Sequence, residues 1–131
     1  MLSKDIQSRE DIILLVDTFY QKVRQDDLLG PIFNDKVRID WVKHLPVMYD
    51  FWENVVFYTG NYAGNPMRVH QQMHQRFPLT KQDFERWLEY FFQTVDDLFL
   101  GDNADLIKQR AQSIATVMEL KILHPGSGGL I

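Results

Sequence analysis

Apolar residues return every three or four positions along almost the whole chain, and no stretch alternates apolar with polar residues as a half-buried strand would. That pattern restricts the fold to packed helices. A first helix is predicted from about Arg9 to Gln25. Ser8 serves as N-cap, Glu10 and Asp11 lie in the first turn, and Ile12, Leu15, Val16, Phe19, Tyr20 and Val23 form one stripe. Leu29-Gly30-Pro31-Ile32-Phe33 ends this unit with a breaker pair followed by an aromatic. A second helix is predicted from about Asp40 to Tyr58, striped by Trp41, His44, Leu45, Met48, Phe51, Trp52 and Val55. Pro46 conflicts with it, because an internal proline removes a hydrogen bond, so a bent or late-starting first turn is expected. Gly60, Gly64 and Pro66 mark a loop, and a short helix runs from Met67 to Arg76. Thr80 caps a fourth helix carrying Phe84, Trp87, Leu88, Phe91, Phe92, Val95 and Phe99 on one side, with Gly101 ending it. The last helix runs from about Ala104 to Ile122, with Ile107, Ala111, Ile114, Ala115 and Met118 inward. The expected fold is all-α: four main helices and a short fifth, in one domain over residues 1–123. Residues 124–131, which begin His124-Pro125-Gly126, form a flexible C-terminal tail.

Composition narrows the chemistry. The 131 residues include no cysteine, which excludes disulfides, Cys-ligated zinc, iron–sulfur clusters, thiolate-held haem and covalent c-type haem. A net charge of −4 argues against a nucleic-acid partner. No apolar run approaches the ~20 residues of a membrane span, and the N-terminus lacks a signal-peptide pattern. No membrane partner and a cytoplasmic location are therefore expected. Nine Phe, five Tyr and three Trp are a large flat-sided payload for so short a chain.

Four histidines carry the remaining chemistry. His124 sits at a helix end, where a cation favours the dipole, and is read as structural. His70 and His74 share one face at i and i+4. A zinc pair is a weak reading. Gln71 stands where the zinc-protease pattern needs Glu, and no third ligand is evident. Haem needs only one neutral imidazole and an aromatic, apolar slot between helices. Phe33, Met48, Phe51, Trp52, Met73, Phe77, Trp87 and Phe91 supply candidate lining, although each is also ordinary core material. Tyr20 and His44 are the polar exceptions on otherwise apolar stripes, and buried hydroxyl and imidazole groups need partners.

Here the residues carry a resemblance. Phe19-Tyr20-x-Lys22-Val23-Arg24-x-Asp26-x-Leu28-Leu29-Gly30-Pro31-Ile32-Phe33, then Trp41-x-x-His44-x-x-x-Met48-x-x-Phe51-Trp52, then Tyr62-x-Gly64-x-Pro66, then His74-x-x-Phe77-x-Leu79-Thr80-x-x-x-Phe84-x-x-Trp87 resembles the truncated haemoglobins, most nearly their third, bacterial group. It spans about residues 10 to 122. The glycine pairs that mark the other groups are absent. The resemblance implies a shortened globin, a two-over-two helical sandwich around haem b. It implies Tyr20 and His44 as distal residues, Phe33 packed on the porphyrin, and Trp87 flanking the distal pocket. The proximal iron ligand is His74 or His70, one turn and ~6 Å apart along the axis. Register against Thr80, Phe84 and Trp87 makes His74 the expected ligand, and spacing from Gly64 and Pro66 keeps His70 as the alternative.

The leading functional expectation is a five-coordinate haem b protein for oxygen, carbon monoxide and nitric oxide, with Tyr20 as hydrogen-bond donor and His44 and Trp87 as second donors. Strongly held oxygen suits nitric oxide or peroxide chemistry, or sensing, better than oxygen transport. Nitric oxide dioxygenation or a peroxidase-like activity would make the protein an enzyme and would require an electron donor, a reductase, that the sequence does not identify. The competing expectation is a haem-free helical sensor or interaction domain, in which Tyr20 and His44 are core and His70 and His74 are surface.

Overall fold

A computed structural model describes residues 3–36, 39–62, 64–76 and 78–123, the side chains of Lys36 and Arg76 excepted. Phe77, His124 and the expected tail lie outside the described residues. The described residues form five α-helices: α1 (Arg9–Gln25), α2 (Trp41–Phe57), α3 (Pro66–Arg76), α4 (Lys81–Leu98) and α5 (Asp102–Leu123). The described residues form no strand, only an isolated bridge between Lys4 and Phe99. α1 packs on α2 and α4, and α5 packs on α4, α2 and the short α3. This packing agrees with the two-over-two sandwich that the resemblance implies.

The apolar stripes explain the packing. Ile12, Leu15, Val16, Phe19, Tyr20 and Val23 of α1 are all buried. They meet Phe84, Phe91 and Val95 of α4 and Ile107 and Ala111 of α5 in one core. Phe19 is the hub, edge-on to both Phe91 and Trp87 at centroid distances of 5.2 and 5.4 Å. The caps follow the sequence. Ser8 accepts from the Asp11 N–H, and Thr80 with Asp83 completes a reciprocal capping box on α4.

Three details differ from expectation. α2 begins at Trp41 despite Pro46. The only backbone donor lost is the one that would reach the Val42 carbonyl, and Val42 is 86% exposed, so water can satisfy it. The Gly30-Pro31 breaker leads into a π-helical turn over Ile32–Lys36 rather than open loop. Gly30 is required there by a close approach, since an added Cβ would lie 2.7 Å from the Arg24 carbonyl oxygen. α4 ends at Leu98, earlier than Gly101. Gly101 instead sits at φ +148 against Asp5, whose carboxylate accepts from the N–H groups of Asn103 and Ala104 at 2.9 Å each. An N-terminal residue thus caps the last helix.

Asp26 ties the end of α1 to α4. One carboxylate oxygen accepts from the Leu28 and Leu29 N–H groups at 3.0 and 2.9 Å. The other accepts from Arg86 at 2.8 Å and from the Tyr90 hydroxyl at 2.7 Å. Burial alone would raise its pKa, but the Tyr90, Leu29, Arg86 and Leu28 donors outweigh burial and lower it. Hydrogen bonds likewise lower Asp5 and Asp11 against the effect of burial. Their contribution to stability is therefore fully present above the unfolded carboxylate value of about 3.9 and is lost as pH falls through the depressed folded values. Denaturant midpoints should hold between pH 5 and 7 and fall steeply below about pH 4. Asp26→Ala should lose about 2–3 kcal/mol at pH 7, since the two N–H groups and the Tyr90 hydroxyl lose their acceptor. It should also flatten the acid limb.

Candidate functional site

The helices do not close completely on one another. A cavity of about 290 Å³ lies between them, close to the lower end of the size range for small-molecule and cofactor sites. α1 contributes Tyr20, and the π-helical turn contributes Ile32 and Phe33. α2 contributes His44, Val47, Met48, Phe51 and Trp52, with Tyr62 from the following loop. α3 adds Pro66, Val69, His70 and Met73. α4 adds Asp83, Phe84 and Trp87, with Leu79 just before it, and Ile114, Ala115 and Met118 of α5 form the floor. Trp52 is the one buried member of the α2 stripe, and the half-buried His44, Met48 and Phe51 face this cavity.

Most of the expected lining is assembled here: Tyr20, Phe33, His44, Met48, Phe51, Trp52, Met73, Trp87 and His70. Phe91 is not in the wall. It is fully buried one layer behind, 4.6 Å from Trp52 and stacked on Trp87 at 5.5 Å and 14°, so it backs the two tryptophans. His74 is not in the wall either. It is one turn beyond His70, in the last turn of α3. Sequence reasoning missed Leu79, Val47, Val69 and Asp83 as wall residues. It placed Ile114, Ala115 and Met118 correctly inward but read them as core. No pattern within a helix distinguishes a residue facing a cavity from one facing another helix.

The two α3 histidines differ in what their ring nitrogens can do. His70 Nδ1 lies 2.6 Å from the Pro66 carbonyl oxygen. A carbonyl only accepts, so Nδ1 carries the proton and Nε2 keeps a free lone pair. His74 has the opposite arrangement: its Nδ1 accepts the Leu79 N–H at 2.8 Å. The neutral His74 ring therefore carries its proton on Nε2 and has no lone pair to offer there. Burial lowers the His70 pKa, with the Pro66 contact opposing, and burial with the neighbouring His70 lowers that of His44. Both rings are thus biased to the neutral form.

On the opposite side, Tyr20 and His44 meet edge-on with ring centroids 5.8 Å apart. Trp41 and Phe33 hold the Tyr20 ring at 5.2 and 6.1 Å. Burial raises the Tyr20 pKa far above its ordinary value, so the phenol stays protonated. Phe51 is braced by Tyr62 and Trp52 at 5.0 and 4.9 Å. No described residue pairs with the Tyr20 hydroxyl, the His44 ring or the Trp87 indole nitrogen, although all three side chains line the cavity. Among the described residues, no three His, Cys, Asp or Glu side chains are clustered to hold a metal ion. Any metal here would need most of its ligands from a cofactor. No helix among the described residues is long and apolar enough to cross a membrane.

Comparison with known proteins gives the family. A family profile described as bacterial-like globin matches residues 4–121. The chain belongs to the bacterial-like globins. It is 33% identical over 112 residues to the group 3 truncated hemoglobin ctb of Campylobacter jejuni, covering 83% of this chain and 86% of that protein. The crystal structure of the group III truncated hemoglobin from Campylobacter jejuni superposes with a TM-score of 0.80 at 31% identity. That match covers 92% of this chain and 95% of the other. The resemblance to group III read from the sequence is thereby shown.

Membership of this globin family implies haem and diatomic gas ligands. The residues present fit a haem: an apolar, aromatic wall, one imidazole with a free Nε2 lone pair, and donors across the cavity. The hydrogen bonds make the tautomers directly testable. At neutral pH, nitrogen-15 spectra of the haem-free chain should show His70 as the Nδ1–H form and His74 as the Nε2–H form. Two Nε2–H rings would contradict the assignment.

Proposed function

We propose that this globin binds one non-covalent haem b through His70 and presents Tyr20, His44 and Trp87 to a diatomic ligand: oxygen, carbon monoxide or nitric oxide. The observation that carries the reading is the His70 ring. Its Nδ1–H is spent on the Pro66 carbonyl, which fixes the ring and leaves Nε2 lone-paired in the cavity wall. A metal-binding histidine needs this arrangement of its outer nitrogen. The register argument for His74 gives way to it, because His74 binds iron through Nε2 only by surrendering the Leu79 contact and moving into the wall.

When bound, haem supplies an iron that takes up diatomic gases and exchanges electrons. The chain does the rest. Phe33, Met48 and Trp87 keep water from the buried face. Tyr20 holds a proton on Oη at every physiological pH and can donate it in a hydrogen bond to the negative end of a ligand. His44 and Trp87 are further donors in the same wall. A cavity with this many donors retains polarised oxygen, which favours reaction with nitric oxide or peroxide, or sensing, over oxygen transport. Turnover in such reactions calls for a reductase as electron source.

The purified protein should show a Soret band, and acid–butanone should extract all of its haem, since the chain has no cysteine for a thioether link. A chain that takes up no added haem would support the haem-free domain instead. His70→Gly should abolish the five-coordinate ferrous spectrum, and added imidazole should restore it. Tyr20→Phe removes one hydrogen bond to a partly charged acceptor, worth ~1.5–3 kcal/mol. Oxygen dissociation should therefore speed by roughly tenfold to a hundredfold, with a smaller change for carbon monoxide. An unchanged oxygen off-rate returns Tyr20 to the role of a core aromatic.

A further inference from the structure

His74 is half-buried, lies outside the cavity wall and is not used by the proposed function, yet its ring is committed. Its Nδ1 accepts the Leu79 N–H at 2.8 Å, linking the last turn of α3 to the residue two before the start of α4. The next backbone donor, the Thr80 N–H, is taken at 2.9 Å by the Asp83 carboxylate of the α4 capping box. Two consecutive N–H groups are thus held by side chains from opposite directions, one from the preceding helix and one from the following helix. Neither donor has a helical partner, because Leu79 and Thr80 precede the first turn of α4. The side chain of Leu79, buried at 8% exposure, is itself part of the cavity wall.

The geometry points to His74 as a positioning residue. By accepting the Leu79 N–H it fixes the α3–α4 junction, and with it the Leu79 side of the cavity and the approach of His70 to the bound group. The proposal rests on the reading of His70 as the haem-binding histidine. The requirement is for an acceptor at the Nδ1 position, not for an imidazole. A ring acceptor on α3 and a carboxylate acceptor on α4 clamp the junction from both ends, so the helix carrying His70 and the helix carrying Trp87 keep one relative pose. Losing the α3 acceptor leaves a part-buried N–H to find water, which loosens the wall at Leu79.

The test uses the full chain as purified, with haem-loaded and haem-free fractions measured separately. In the unaltered protein, a nitrogen–nitrogen coupling across the Leu79 N–H···His74 Nδ1 contact should be visible by NMR, and its absence overturns the proposal without any variant. His74→Ala should speed Leu79 amide exchange roughly tenfold, in keeping with the loss of one hydrogen bond. Haem transfer to an apoglobin acceptor should speed by a similar factor, and the iron–imidazole stretching band should persist but broaden. His74→Asn, whose side-chain carbonyl can accept at the same reach, should return both rates to within about threefold of the parent. Unchanged Leu79 exchange in His74→Ala overturns the proposal, as does faster exchange with unaltered haem loss. Equal defects in the Ala and Asn variants overturn it too, because the acceptor would not be what matters. A different failure marks the His70 reading itself. In that case the iron–imidazole band vanishes in His74→Ala, returns with added imidazole, and survives in His70→Gly.

Discussion

Keeping an apolar cavity open between five helices is the constraint on which the rest of this structure depends. Apolar walls gain by collapsing together, and space left between them costs stability in proportion to its volume. A chain of 131 residues has a limited core with which to oppose that collapse. Its solution is to stiffen the walls. Phe19, Phe91, Trp87 and Trp52 interlock behind and within one side at centroid distances of 4.6 to 6.4 Å. Large flat rings packed edge-on and stacked have few alternative rotamers, so the wall they form cannot readily fold inward.

Charged and polar anchors hold the ends of the helices that carry those rings. Asp26 binds the end of α1 and the following turn to α4, and that turn delivers Ile32 and Phe33 to the cavity. Asp5 caps α5 from the opposite end of the chain. Arg9 reaches Asp50 and Glu53, at 2.8 and 2.9 Å, and joins α1 to α2 at the surface. A bound flat ligand would stabilise the folded chain further by binding it alone. The polar groups that face the cavity are of a different kind. Tyr20 and His44 line the cavity and have no hydrogen-bond partner among the described residues.

Much of this was legible in the sequence because it is local. α1 was read at its observed bounds, since Ser8, the acidic first turn and the 3.6-residue stripe agree with one another. Tyr20 and His44 stood out as polar residues on apolar faces, and the structure brings both into the cavity. The π-helical turn over Ile32–Lys36 was not legible, because Gly30 and Pro31 signal only a break and leave the conformation beyond it open. Phe91 was indistinguishable from Trp87, four residues earlier on the same stripe. Which ring faces a hollow and which faces a neighbour depends on helices far away in sequence.

The histidine pair shows the same boundary most sharply. By itself the sequence determined an all-helical chain, the caps of α1 and α4, its buried stripes, the exclusion of thiol chemistry, and a shared face for His70 and His74. Those are consequences of short-range periodicity and composition. Only the tertiary structure decided which imidazole has a usable lone pair. That depends on two backbone groups, the Pro66 carbonyl below one ring and the Leu79 N–H beyond the other. A histidine's tautomer is set by the partner of its outer nitrogen. The Leu79 partner is in place only once α3 has ended and the chain has turned into α4.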